Sequence, residues 1–386
     1  MRVLVAPMMA MAESSGPASR SRVLASAMVS RGWQVTLCIP EGFCVAIPDG
    51  VSAQPVRLPT PLGMPRVVGK RMFPLAQRLG LNRRVSMTCF DNVLWLTGNT
   101  NERYLETAVR QLRGIIREGR FEAVYSEFNV AAIIAAKVEG VPVFGTTSYP
   151  TQPSYASDPA TANGVNRVLR SLSMGEVRSP EDVLLMPQVR FVPSCHALEP
   201  FSDDDSVIFT GPFAGMPPEV PEVSRDVVVA YLGNGTITPR RACAVLAEAL
   251  RDSGLELYVA GLSEGFAKGV RTMPHFDFAE LLPRAAVFVN HGGQNSVMDG
   301  IAYGTPQLIC PGKVFERRFN AEAATRNGVG MALEYGRFDV GAVHDAIGRL
   351  VDGRKGFQEA ASVLRSELAV LGGATRVLEV MESRVG

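Results

Sequence analysis

The amino-acid sequence predicts an α/β protein made of two doubly wound, parallel-sheet domains. Three observations carry this: short β-branched runs alternate with longer helix-spaced stretches, the alternation occurs in two series, and a proline-rich segment separates them. The first series opens with the strand-like Arg2-Val-Leu-Val-Ala6. Helix spacing follows over 20–31, with Val23, Leu24, Ala27 and Met28 on one face, and a second strand-like run covers 34–39, completing a β-α-β unit. Runs at 122–126 and 141–145 bracket a helix around 130–138, so the first half holds at least four candidate parallel strands. The second series has strand-like runs at 227–232, 256–260, 287–290 and 307–309, separated by helical stretches at 241–251, 296–303 and 320–327. Between the series, residues 211–222 contain four prolines and two glycines in 12 residues, which opposes both helix and ladder formation. This segment predicts an interdomain linker, domains at 1–216 and 217–386, and a ligand cleft between them.

Composition narrows the function classes. The chain has 386 residues, 46% hydrophobic and 20% charged, with 39 basic against 38 acidic side chains and a net charge of +1. That balance argues against a nucleic-acid binder, whose footprint is an excess of Lys and Arg. No apolar run approaches the roughly 18 residues that a membrane span requires. The N-terminus continues into Glu13 and a helical pattern instead of a signal-peptide layout, so a cytoplasmic protein is expected. Six cysteines (Cys38, Cys44, Cys89, Cys195, Cys243, Cys310) lie in no CxxC pair, and the four histidines have no ligand spacing; free buried thiols and no metal are expected. Residues 50–90 contain Arg57, Arg66, Lys70, Arg71, Arg78, Arg83 and Arg84 and no acid. This stretch reads either as a solvated face or as a basic flap over an anionic acceptor or a membrane surface.

The chemistry concentrates at Val287-Phe-Val-Asn-His291-Gly292-Gly293-Gln294-Asn295-Ser296-Val-Met-Asp299-Gly300, where an apolar strand ends on His-Gly-Gly and a helix opens behind it. Such a junction is an anion cradle, because glycine lets the backbone approach a phosphate and the exposed amides at a helix start favour negative charge. His291 adds a donor whose charge can follow the phosphate, and Asp299, one turn on, can accept from ribose hydroxyls.

The match extends well past this junction. Residues 285–311, with Phe315-Glu-Arg-Arg-Phe-Asn-Ala321 and Gly328-Val-Gly330, resemble the donor-binding signature of nucleotide-sugar glycosyltransferases with the GT-B fold, and most of all the UDP-glycosyltransferase superfamily. Gly233-Asn-Gly-Thr236, Pro193-Ser194, Gly211-Pro212 and Arg31-Gly-Trp-Gln-Val-Thr36 also resemble landmarks of that family. The resemblance implies two Rossmann-like domains facing across a cleft, an N-terminal acceptor domain and a C-terminal donor domain, with the last helix able to pack back on the first. It implies that His291, Gly292, Gly293, Gln294, Asn295 and Ser296 hold the diphosphate, with Gly235 and Thr236 completing the cradle and Asp299 taking the ribose. Phe276 falls where the family stacks an aromatic on the base, although Phe276 and Phe278 read equally well as core. Glu316 and Arg317 occupy the positions of an acid-Gln pair that binds sugar hydroxyls; Arg317 puts a fixed cation where the family has a neutral amide, which reads as a changed sugar preference favouring a donor with a carboxylate, as a diphosphate contact, or as a side chain turned to solvent or a nearby acid.

The N-terminal loop departs from the pattern. Inverting members commonly carry a Gly-His pair whose His is the general base, and here Ser15-Gly16-Pro17-Ala-Ser-Arg20 places Pro17 at the histidine position. The remaining carboxylates are Glu127, in Tyr125-Ser-Glu-Phe-Asn129, which matches the acid that orients that His, and Glu13 in the first loop; each reads as a base or as an ion-pair partner of Arg20 or Arg22. Ser14, Ser15 and Gly16 are the expected acceptor contacts. The resemblance therefore implies an inverting, metal-independent transferase that uses a UDP- or dTDP-sugar as donor substrate, needs no cofactor, and glycosylates a small natural-product acceptor, as a monomer or homodimer. The alternatives are a nucleotide-sugar hydrolase or epimerase on the same fold and a non-catalytic nucleotide-sugar-binding partner.

Overall fold

In the computed structural model, residues 1–10, 15–43, 45–65, 68, 86–202, 204–217, 219–220, 223–233 and 236–385 are described. The first sheet is built from β1 (Arg2–Pro7), β2 (Gln34–Pro40), β3 (Val51–Val56), β4 (Ala123–Glu127), β5 (Val143–Thr146), β6 (Val189–Val192) and β7 (Val207–Phe209). Its order is β3-β2-β1-β4-β5-β6-β7, and every pairing is parallel. The second is built from β8 (Val227–Tyr231), β9 (Glu256–Ala260), β10 (Arg271–Met273), β11 (Ala285–Asn290), β12 (Gln307–Ile309) and β13 (Gly330–Ala332), in the order β10-β9-β8-β11-β12-β13, again parallel. Strand order reverses between β1 and β4 in one sheet and between β8 and β11 in the other. Such switch points open a crevice at the carboxyl ends of the strands, which is where ligands bind in this class of sheet.

The chain divides into two units, one of Met1–Leu79, Met87–Gly215 and Leu371–Gly386, the other built on Met216–Val370. In the first, Val3 and Val5 of β1 pack with Leu24 and Met28 of the Ser15–Ser30 helix and with Phe144 and Phe191. The last helix, Gly373–Val385, belongs to this core: Val377, Leu378 and Met381 are buried in it, and Glu382 pairs with Arg31 at 2.9 Å. The second core joins Val228 and Ala230 of β8 and Val287 and Val289 of β11 to Leu246, Ile347 and Leu350 on helices Pro239–Ala249 and Val340–Asp352.

The elements depart from the sequence reading in consistent ways. The first helix begins at Ser15, five residues before its apolar spacing, because Pro17 sits in the first turn, where no intrahelical N–H is lost. The helix expected at 320–327 likewise begins at Phe315. β3 is an edge strand that tolerates Pro55, and β7, β10 and β13 are edge strands of three residues, too short to show alternation. Cys38, Cys89, Cys195, Cys243 and Cys310 are buried free thiols, and Cys44 lies outside the described residues. Among the described residues no helix is long and apolar enough to cross a membrane. Of the basic stretch at 50–90, residues 66–67 and 69–85 lie outside the description.

Because Met381 is fully buried against the first sheet's core, Met381→Ala is expected to destabilise the first unit by about 2–5 kcal/mol. Urea denaturation measures this, and an unchanged midpoint would mean that the terminal helix is dispensable for stability.

Candidate functional site

β11 ends on Asn290, whose side chain is completely buried and organises the loop that follows. Its Oδ1 accepts from the Gly292 N–H at 2.8 Å, and its Nδ2 donates to Gln307 Oε1 at 2.9 Å. Gln307 in turn donates to the Val297 carbonyl at 3.1 Å, and Asn320 Nδ2 donates to the Gly292 carbonyl at 2.9 Å. Three buried amides therefore fix both sides of a two-glycine turn. Gly292 is left-handed at φ 77°, and a Cβ there would lie 2.7 Å from the Arg317 carbonyl oxygen and 3.0 Å from Ile309. Gly293 caps the Gln294–Ala302 helix, and a Cβ on it would lie 2.6 Å from His291 Nε2. Both glycines are thus demanded by close approach.

His291 Nδ1 lies 3.3 Å from the Tyr231 carbonyl oxygen, and the Tyr231 ring meets the imidazole edge-on at 5.4 Å. A carbonyl only accepts, so Nδ1 carries the proton and Nε2 presents a lone pair. Burial, reinforced by the Arg317 charge, pushes the imidazole down to about 3, so it is neutral near pH 7. Within the Gln294–Ala302 helix, Gln294 and Ser296 are buried and Asn295 is exposed. Asp299 is half-buried one turn on, and burial pushes its carboxyl up to about 7. Thr236 accepts from the Lys313 N–H at 3.2 Å, tying the loop after β8 to the loop after β12; Gly235 lies outside the described residues. Glu316 and Arg317 stand in the first turn of the Phe315–Arg326 helix, against the same loop. Phe276 is half-buried with its ring 5.6 Å from Tyr258, whereas Phe278 packs between Tyr231 and Phe288 as core.

Residues 261–382 match the family model of the erythromycin biosynthesis protein CIII-like C-terminal domain. Over these residues the chain is similar to that EryCIII-like family. Aclacinomycin-T 2-deoxy-L-fucose transferase of Streptomyces galilaeus is 27% identical over 150 residues, covering 37% of this chain and 34% of the relative, so the chain spans only about a third of that protein's length. The solved glycosyltransferase of kitacinnamycin superposes with a TM-score of 0.77 at 18% identity, over 100% of this chain and 99% of the other. The glycosyltransferase VinC, solved in complex with dTDP, superposes with a TM-score of 0.69 at 18% identity over the same shares. At such identities the likeness establishes the fold, the GT-B architecture of two parallel-sheet α/β domains.

The second unit thus brings His291, Gly292, Gly293, Gln294, Ser296, Asp299, Thr236, Glu316 and Arg317 to the carboxyl end of its switch point. Sequence reasoning passed over Asn290, Gln307 and Asn320, although a lone amide closing an apolar strand was the available signal.

In the first unit, Glu127 closes β4 at the other switch point, paired in register with Pro7 of β1. It is 0% exposed: Arg20 Nη2 and Nε each lie 2.6 Å from Oε1, and the Thr146 hydroxyl donates to Oε2. Tyr125 OH, 2.8 Å from Thr146 Oγ1, completes the chain of donors. Burial pushes the Glu127 carboxyl up while Arg20 opposes it. The next residue, Phe128, is held at φ 61°, a strained conformation for a bulky side chain, with Asn129 Nδ2 anchored on the Pro7 carbonyl at 2.9 Å. Of the two readings of Glu127, base or ion-pair partner of Arg20, the structure shows the buried ion pair. Ser15 and Gly16, expected in a loop, belong to the first helix, and Glu13 and Ser14 lie outside the described residues.

Two outcomes follow for the second unit. Gly292→Ala forces a left-handed alanine against backbone and is expected to destabilise by at least about 1–2 kcal/mol, read from thermal unfolding. Asp299 holds its proton in the folded unit up to about pH 7 but ionises near its ordinary, lower value when unfolded. Folding is therefore favoured in acid, and that contribution is lost as pH rises toward 7. Asp299→Asn is expected to gain stability relative to wild type over that interval, measured by urea unfolding between about pH 4 and 8.

Proposed function

We propose that this chain is an inverting glycosyltransferase that moves a sugar from a UDP- or dTDP-sugar to a small natural-product acceptor in the cytoplasm, without a divalent metal. The observation that carries this reading is the buried-amide clamp that presents a two-glycine turn, a helix N-terminus and a half-buried carboxyl at one switch point of a GT-B fold. The turn and the first amides of the Gln294–Ala302 helix receive the diphosphate, Asp299 accepts from the ribose hydroxyls, and Glu316 accepts from the sugar. An acceptor oxygen or nitrogen attacks the anomeric carbon, the bond to the diphosphate oxygen breaks on the opposite face, and the acceptor's proton passes to a base. Preorganised amides stabilise the charge that develops on the leaving group.

For the base, the sealed ion pair around Glu127 favours Glu13. In this reading Glu127 is a positioning residue that holds Arg20 one turn into the first helix, and an amine acceptor that carries its own base is compatible with Pro17. The same sealed geometry also favours a second reading, a nucleotide-sugar-binding partner with no turnover.

Incubation with UDP-glucose, UDP-N-acetylglucosamine and dTDP-sugars tests the proposal, in buffer with and without EDTA. Slow nucleotide release that an acceptor accelerates and EDTA leaves unchanged is expected; tight binding with no turnover for any acceptor would favour the partner reading, and release unaffected by acceptor a hydrolase. Glu13→Gln is expected to lower kcat by about 10²–10⁴-fold with donor affinity unchanged. Glu127→Gln is expected to act mainly on stability, by up to about 3–5 kcal/mol, because it removes the carboxylate of a buried ion pair. Full activity of both variants would remove the carboxylate base from the mechanism.

A further inference from the structure

Arg317 lies in the first turn of the Phe315–Arg326 helix, and its carbonyl touches the space beside Gly292. Its guanidinium is half-buried, yet it donates no hydrogen bond and forms no ion pair among the described residues. Other part-buried arginines of the same unit are satisfied: Arg225 donates to the carbonyls of Leu282, Ala285 and Tyr303, and Arg241 to that of Phe338. A half-buried guanidinium whose donors are not taken by protein acceptors is available to an anion. Its neighbours show where that anion would sit. The Arg317 charge acts on His291, and the Tyr231 carbonyl holds the imidazole proton on Nδ1, leaving Nε2 beside Gly293. The imidazole consequently brings a lone pair, not a charge, to the cradle.

We propose that Arg317 supplies the fixed positive charge that binds the donor's diphosphate, so that selection of a nucleoside diphosphate over the nucleoside depends on residue 317 and not on an imidazolium at residue 291. This inference rests on reading the second unit as a donor site. A planar guanidinium engages two phosphate oxygens at once and keeps its charge across the physiological range, which an imidazole in this environment does not. It also makes the cradle's affinity insensitive to pH where a histidine-based cradle would weaken as pH rises.

The test is isothermal titration of the full chain with dTDP, UDP, thymidine and uridine at about pH 7.5, in two buffers of different ionisation enthalpy. Wild type is expected to bind one of the diphosphates well above its nucleoside with little proton uptake. Arg317→Gln is expected to lose about 10–100-fold in diphosphate affinity, the size of one charge-assisted contact, with nucleoside affinity unchanged. Arg317→Lys should recover part of the loss. Uptake of close to one proton by wild type, or a Gln variant that binds the diphosphate within about 2-fold of wild type, overturns the proposal. So does an effect confined to donors whose sugar bears a carboxylate, such as UDP-glucuronate. If wild type binds neither diphosphate, the donor-site reading itself fails, a result separate from any effect of residue 317.

Discussion

The buried amide of Asn290 is the constraint on which the second unit's chemistry depends. A strand buried in the middle of a parallel sheet must stop, and its last residue must satisfy the backbone of a turn that no ladder serves. Asn290 does so by accepting from the Gly292 N–H while donating to Gln307, and Asn320 answers the Gly292 carbonyl from another helix. With its polar groups satisfied, the turn is free to adopt a left-handed glycine and to pack backbone against the carbonyl of Arg317. The helix start at Gln294, the imidazole of His291 and the first turn that carries Glu316 and Arg317 are all positioned from this one polar knot.

The first unit solves the equivalent problem with charge. At the end of β4 the chain places Glu127, and the fold answers it with Arg20, Thr146 and Tyr125, while Phe128 takes a strained left-handed turn so that Asn129 can reach Pro7. An ion pair sealed from water is a poor source of net stability but a strong constraint on geometry. The two switch points thus differ in kind. One is lined by buried amides and carries a cation, Arg317, with no hydrogen-bond acceptor among the described residues, and the other is ionic and internally closed.

Much of the fold was legible because its strands are buried on both faces and its helices are amphipathic, signals that survive in one dimension. The edge strands were not: β7, β10 and β13 span three residues each, and β3 contains a proline that only an edge position allows. The starts of two helices lie outside the sequence signal for a related reason, since Ser15–Ala18 and Phe315–Arg318 contribute first turns that carry no apolar repeat. The site divided in the same way. His291, the two glycines, Ser296 and Asp299 form a contiguous motif, and motifs are local. Asn290, Gln307 and Asn320 act together only because three elements converge.

The sequence by itself determined which residue types stand at the ends of the strands: glycines where backbone must approach, a histidine and carboxylates where an anion and hydroxyls would be met, and an arginine where an amide was expected. Tertiary structure alone decided their states. Burial keeps the imidazole neutral and raises the Asp299 carboxyl, an ion pair closes Glu127 off from solvent, and among the described residues no acceptor takes the Arg317 guanidinium. Protonation and pairing depend on how much water remains and on which groups lie within hydrogen-bond reach, and both are properties of the packed chain.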